Sequence, residues 1–332
     1  MGVLQARCAG IGVLLHYAER ARRPLPGKYS KRPLADQLAA PLSFMADDLT
    51  EPSPERGVPP GRVAALAWLG YLLFRWALVF IHLPLRTPPL GLLLASGVVA
   101  AGSLGLPIAG IAAIVCTRKP KWTALLALSG LAIWLLLTLA VSRHWLIQLE
   151  YVLLSPVRDL GMIAAVAAFG ILMASRLKEL NILVPIGMFA TFADFVVVHY
   201  GTVHRALSTT KGQQMIQSVS AKVPSVHPGI PMLTIGPADF LFLGVFLACA
   251  GNFGLGVRRN ALWFTVILTL SLLLVAVTGW PVPALAPMSL TLLALNWRRF
   301  RLTRDEWMST GAVLILIGAL FLGYFLFAFP RR

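Results

Sequence analysis

The sequence predicts an all-α membrane protein, a polytopic bundle of about nine transmembrane helices. Three observations predict it. Hydrophobic residues make up 58% of the 332-residue chain and charged residues only 13%. A soluble domain carries about 25% charged residues, so this chain lacks the charge to coat a water-facing surface. Long apolar runs recur from residue 63 onward, and about 20 mostly apolar residues cross roughly 30 Å of hydrocarbon. The 29 Lys and Arg outnumber the 13 Asp and Glu, for a net charge of +16. In such a composition the excess reads as basic cytoplasmic loops rather than as a nucleic-acid surface. The same numbers argue against a disordered chain, a secreted disulfide scaffold and a cytosolic enzyme. Cys8, Cys116 and Cys249 are scattered and form no CxxC pair.

Residues 1–62 read as a polar, Pro- and Arg-rich tail without sustained apolar character, expected to be disordered. Residues 8–18 (CAGIGVLLHYA) faintly resemble a signal peptide, but no A-x-A cleavage site comes after them. Another reading starts translation at Met45, which would remove residues 1–44 and +5 of the charge. Residues 63–328 read as a single transmembrane domain. Its candidate spans are about 63–83, 91–116, 122–142, 160–176, 180–200, 231–250, 261–280, 282–297 and 309–328. The apolar stretch 145–157 contains Glu150 and has two readings: an interfacial helix, or a short crossing that would make ten spans. The run Gly161–Gly170 (GMIAAVAAFG) is rich in small residues, which let helix backbones approach closely in lipid. With the N-terminus inside, inner connections hold 20 Lys and Arg and outer ones 8, with Arg75 inside the first span. The positive-inside rule then favours N-in and C-out, although the ratio falls to 13 to 8 without residues 1–44.

The acids carry more information than the bases. Six lie in the tail, Glu150, Asp159 and Glu179 at span edges or connections, and Asp305 and Glu306 in the last basic loop. Only Asp194 and Asp239 lie well inside apolar segments. A carboxylate at the centre of a span costs about 2.5–3.5 kcal/mol and usually marks function. If the helices at 180–200 and 231–250 are antiparallel neighbours, both acids sit roughly 9–12 Å from one membrane face at 1.5 Å per residue. Two such carboxyls share a proton, as an aspartyl protease requires. Gly236-Pro237 breaks the helix before Asp239. A helix restarting at Pro237 would place Asp239 in its first turn, where the dipole favours negative charge. Trp280-Pro-Val-Pro-Ala-Leu-Ala-Pro287 is a second break on the same side. Its free backbone could hold an extended peptide by strand addition.

These residues resemble a family. Gly236-Pro237-Ala238-Asp239 resembles the GxGD motif of presenilin- and signal-peptide-peptidase-type intramembrane aspartyl proteases. Pro283-Ala284-Leu285 matches that family's PAL motif, and Ala193-Asp194 is similar to its first catalytic Asp. The segment Tyr200, Thr202, His204 is similar to the segment after that Asp in archaeal presenilin homologues. The resemblance covers about residues 180–290. It implies a presenilin-like fold and catalysis by Asp194 and Asp239. It also implies substrate binding by Gly236, Pro237, Ala238, Pro283, Ala284 and Leu285, with no metal or cofactor. The partners it implies are the bilayer and transmembrane-helix or signal-peptide substrates. The sequence departs from the family at Ala193, usually Tyr, and at Ala238, usually Gly. A further span comes after the PAL helix, and five spans rather than six precede the inter-aspartate loop.

His199, Tyr200 and His204 lie near a helix end, where interfacial anchoring is expected. Arg75 is expected to pair with a buried acid or to snorkel. No HExxH, GxSxG or Walker A motif occurs. Two alternatives use the same acids: a proton- or cation-coupled carrier, and an inactive presenilin-like protein that only binds membrane helices.

Overall fold

A computed structural model describes residues 59–80, 89–117, 119–142, 148–199, 209–224, 233–279 and 282–328. Val58–Arg332 forms one compact unit. The expected tail lies outside the described residues up to residue 58, and a helix takes up its last three positions. That helix, α1, is Pro60–Phe80. It is followed by α2 (Pro89–Thr117), α3 (Pro120–Ser142) and α4 (Gln148–Ala174). Proline opens α1, α2 and α3, where its missing N–H costs nothing because the first turn has no intrahelical acceptor to lose.

Six described helical stretches are long and apolar enough to cross a membrane: Pro60–Phe80, Leu90–Thr117, Pro120–Ala140, Leu153–Ala174, Leu180–Val198 and Val257–Thr278. Large apolar side chains cover the outer surface where a soluble protein would place charge. Leu66, Leu94, Leu128 and Leu136 are 63–67% exposed, a lipid-facing pattern.

Residues 148–157, the described part of the stretch 145–157, are not a separate crossing. From Gln148 they are the start of α4, which runs through a buried Pro156 to Ala174. The fourth span is therefore longer than the apolar run at 160–176 suggested.

After a 3-10 turn at Leu180–Ile182, α5 spans Leu183–His199. The connection expected at 201–230 carries structure of its own. Helix α6 (Thr210–Val219) is capped by the Thr209 side chain, which accepts the Gly212 N–H at 3.2 Å. Strand β1 (Ala221–Val223) then pairs antiparallel with β2 (Leu233–Ile235), Lys222 opposite Thr234. The span expected at 231–250 is thus a strand followed by a helix, α7 (Pro237–Asn252). Pro237 cannot accept continuation from upstream, and β-branched Thr234 and Ile235 suit an extended chain.

Helix α8 (Val257–Thr278) ends on Gly279, whose φ of 68° lets its N–H reach the Val275 carbonyl at 2.8 Å. The span expected at 282–297 is a shorter helix, α9 (Leu285–Asn296), closed by a 3-10 turn at Trp297–Arg299. Last comes α10 (Arg304–Ala328).

The core gathers around α7, where Phe240 and residues 243–250 are all buried. Its main neighbour is α4, which also packs along α3. Both seams are built by glycine, as the run Gly161–Gly170 implied. A Cβ on Gly170 would come within 2.2 Å of the Leu241 carbonyl oxygen, and one on Gly244 within 2.3 Å of the Ala167 oxygen. On the other side of α4, a Cβ on Gly161 would meet the Gly130 oxygen at 3.0 Å. Helix α5 stands apart from this seam: it packs on α9 and α10, and α9 in turn meets α7 and α8. The expectation that the two acid-bearing helices are direct neighbours is therefore corrected. They make no extended contact, and α9 bridges them.

Candidate active site

Asp239 is set by the restart of the chain at Pro237. Gly236 is extended, with φ −70° and ψ 156°, and Pro237 opens α7. Asp239 follows as its third residue. Its Oδ2 accepts the Gly236 N–H at 3.1 Å, and its own N–H donates to the Gly236 carbonyl at 3.3 Å. A carboxylate here reaches back to cap the chain entering the helix, and the helix dipole favours its charge.

Asp194 is held differently. It lies in the last turns of α5, and its Oδ2 accepts the N–H of Leu285 at 2.9 Å. Leu285 is the first residue of α9, so this N–H has no acceptor within its own helix. Asp194 supplies one from another helix. Pro283 is buried and Ala284 half-buried ahead of it, and Ala284 already has helical angles, φ −76° and ψ −27°. The three residues Pro283, Ala284 and Leu285 thus turn the chain so that the start of α9 faces Asp194.

Both carboxylates are half-buried. They are close enough for each to feel the other's charge. The structure therefore brings together Asp194, Leu285, Gly236 and Asp239, on elements separated in sequence and joined through α9. Ala238 is exposed at the start of α7. The side chain of His199, all of Tyr200, Thr202 and His204, and Trp280 lie outside the described residues.

The hairpin is the part that sequence reasoning missed. Strand β2 runs through Gly236 directly into α7, so the hairpin sets how the chain enters the Asp239 turn. It is tied down by a buried charge cluster. Asp159 on α4 accepts the Lys222 N–H of β1 at 3.1 Å. It also pairs with Arg158 at 2.9 Å and with Arg75 of α1 at 3.4 Å. Arg75 donates to the Lys222 carbonyl as well, and to the Tyr71 hydroxyl at 3.0 Å. Arg75 is 7% exposed, Arg158 4% and Asp159 1%. Asp159, assigned from sequence to a span edge, is as buried as any acid described. Two signals pointed to it: a lone Arg in the first span, and the adjacent Arg158-Asp159 pair. Of the two expectations for Arg75, pairing with a buried acid is the one observed.

Chemically, the arrangement holds two carboxylates within electrostatic reach of each other. One is oriented by the backbone ahead of its own helix and the other by the backbone of a third helix. A two-stranded sheet, with Lys222 on its β1 edge held by Asp159 and Arg75, leads into one of them. Compared with protein-family models, with curated proteins and with solved structures, the chain matches none.

Proposed function

We propose that the chain is a multi-pass intramembrane aspartyl endopeptidase, in which Asp194 and Asp239 hydrolyse a peptide bond of a membrane-inserted segment. The observation that carries this reading is the Leu285 N–H on Asp194 Oδ2, made while Asp194 lies within electrostatic reach of Asp239. It ties the Pro283–Leu285 turn to Asp194, and the mutual charge of the two acids supports including Asp239. In the reaction, one carboxylate takes a proton from water as the oxygen attacks the scissile carbonyl. The other, protonated, hydrogen-bonds that carbonyl and stabilises the tetrahedral intermediate. The proton then passes to the leaving nitrogen. A helical substrate must unwind first, because its carbonyls are otherwise engaged. The outer edge of β2 offers an unwound segment backbone partners immediately before Asp239. Substrates of this class are transmembrane helices or signal-peptide remnants.

The test is cleavage of a defined transmembrane substrate by purified protein in detergent. Wild type cleaves, and Asp194→Asn and Asp239→Asn do not. Full activity in either variant ends the dyad reading. Proton-coupled uptake into liposomes without proteolysis, lost in the same variants, would replace it with the carrier.

A further inference from the structure

At the other end of the bundle, the turn between α7 and α8 meets the end of α9 around an open cavity of about 620 Å³. Arg259, Arg298 and Arg299 line it, with Gly254, Gly256 and Trp297. No carboxylate is among the lining residues.

One wall is built from inside. Asn260 is fully buried, and its amide donates to the Leu255 and Gly256 carbonyls, each at 2.9 Å. Asn296, 2% exposed, donates to Asn260 Oδ1 at 3.1 Å and to the Leu292 carbonyl at 2.8 Å. Its remaining oxygen accepts from Arg259 Nη2 at 2.8 Å. The same nitrogen lies 3.2 Å from the Leu255 carbonyl and 3.4 Å from that of Leu295. A buried amide pair therefore aims one guanidinium at the cavity wall. The Nη1 and Nε of Arg259 have no protein partner among the described residues.

Charge at this point is unbalanced. Three arginines line one hollow. Helix α8 also begins here, behind Gly256 with φ 80°, with neither a side-chain cap nor an acid in its first turn. Its free N–H groups add to the positive potential. Nearby Glu306 is already engaged by Asn181 and by the Thr303 N–H, which leaves Asp305 as the exposed acid of that stretch. Trp297, 60% exposed, is the residue type that sits at headgroup level.

We infer that this cavity binds a phosphate group, with the headgroup of an anionic phospholipid as its natural source. Guanidinium forks take phosphate oxygens in pairs, and basic pockets between transmembrane helices hold anionic headgroups. This inference is independent of the protease reading.

Lipid retention by the full chain, measured by native mass spectrometry after exchange into phosphatidylglycerol or phosphatidylcholine, tests it. Phosphatidylglycerol should be retained over phosphatidylcholine. Arg259→Gln, and separately the pair Arg298→Gln with Arg299→Gln, should each weaken retention about tenfold or more, as for lost charge-assisted hydrogen bonds. The paired variant leaves the Asn260–Asn296 wall intact, so it reads binding rather than folding. Arg301→Gln, outside the cavity, should weaken retention no more than about fivefold. Binding of inorganic phosphate with the same arginine dependence, without a lipid preference, would keep the site and make soluble phosphate its source. Equal retention of both lipids with no phosphate binding would overturn the inference. So would an Arg301→Gln effect as large as that of Arg259→Gln, since surface charge alone would then explain the retention.

Discussion

Asp239 and Asp194 are two acids on dissimilar mountings. Asp239 heads α7, whose buried face is locked to α4 by glycines that bring backbone against backbone. Asp194 ends α5, which leans on α9 and α10 and presents Phe189, Phe195 and Val197 outward. On that second seam, a Cβ on Gly187 would meet Ser289 at 3.4 Å, an ordinary contact. One acid therefore heads a core helix. The other ends a helix that reaches the core through α9, whose first N–H it accepts. On the proposed function, a site that admits a helix from the side needs one fixed wall and one that can part. On that reading the parting wall is α5, which carries Asp194.

The comparison can be broken at either acid or at either seam. The largest effect is expected at the acids: Asp194→Asn or Asp239→Asn should each lower substrate cleavage by about 10,000-fold, because paired catalytic groups act as a unit. Next comes the buried cluster under the hairpin. Asp159→Asn leaves Arg75 and Arg158 without their counter-ion, at a cost of about 3–5 kcal/mol. Thermal unfolding in detergent should show the loss, and amide exchange at residues 221–223 should accelerate. At the fixed seam, Gly244→Leu should destabilise by about 1–3 kcal/mol through overpacking. The same change at Gly187 should cost less in a thermal melt, and equal costs would remove the distinction between the seams. Smallest is Asn181→Ala, which removes the bonds from Asn181 to Glu306 at 3.0 Å and to the Arg301 carbonyl at 3.1 Å. A loss of about 0.5–1.5 kcal/mol is expected, read in the same melt.

Elements set by composition or by punctuation could be read directly. The spans near α1, α2, α3 and α8 stand out as apolar runs of crossing length. Pro237 announces a helix start and so places Asp239 at its third position. The glycines of 161–170 announce close packing. The hairpin did not stand out, since a three-residue strand is too short for an alternating pattern to register. Its apolar residues simply extended the run of the next helix. The start of α4 was hidden by Pro156, a residue that ordinarily ends a helix. Asp159 was hidden for another reason: its cost is offset by Arg75, 84 positions away, and only folding brings the two together. The partnership of Asp194 with Leu285, across 91 positions, was legible as motif order but not as a hydrogen bond.

The lengths of α7 and α9 have a further consequence. At 16 and 12 residues, they rise only about 24 and 18 Å, short of a hydrocarbon layer of roughly 30 Å. Each begins at the level of its acid contact. Above them stand a hairpin and a proline turn, whose polar backbone water can wet. Hydration can thus reach the carboxyl groups from the surface, and the water that the proposed hydrolysis would consume need not pass through oil. On this view the site lies at the floor of a shallow well, and its depth is set by where two helices start.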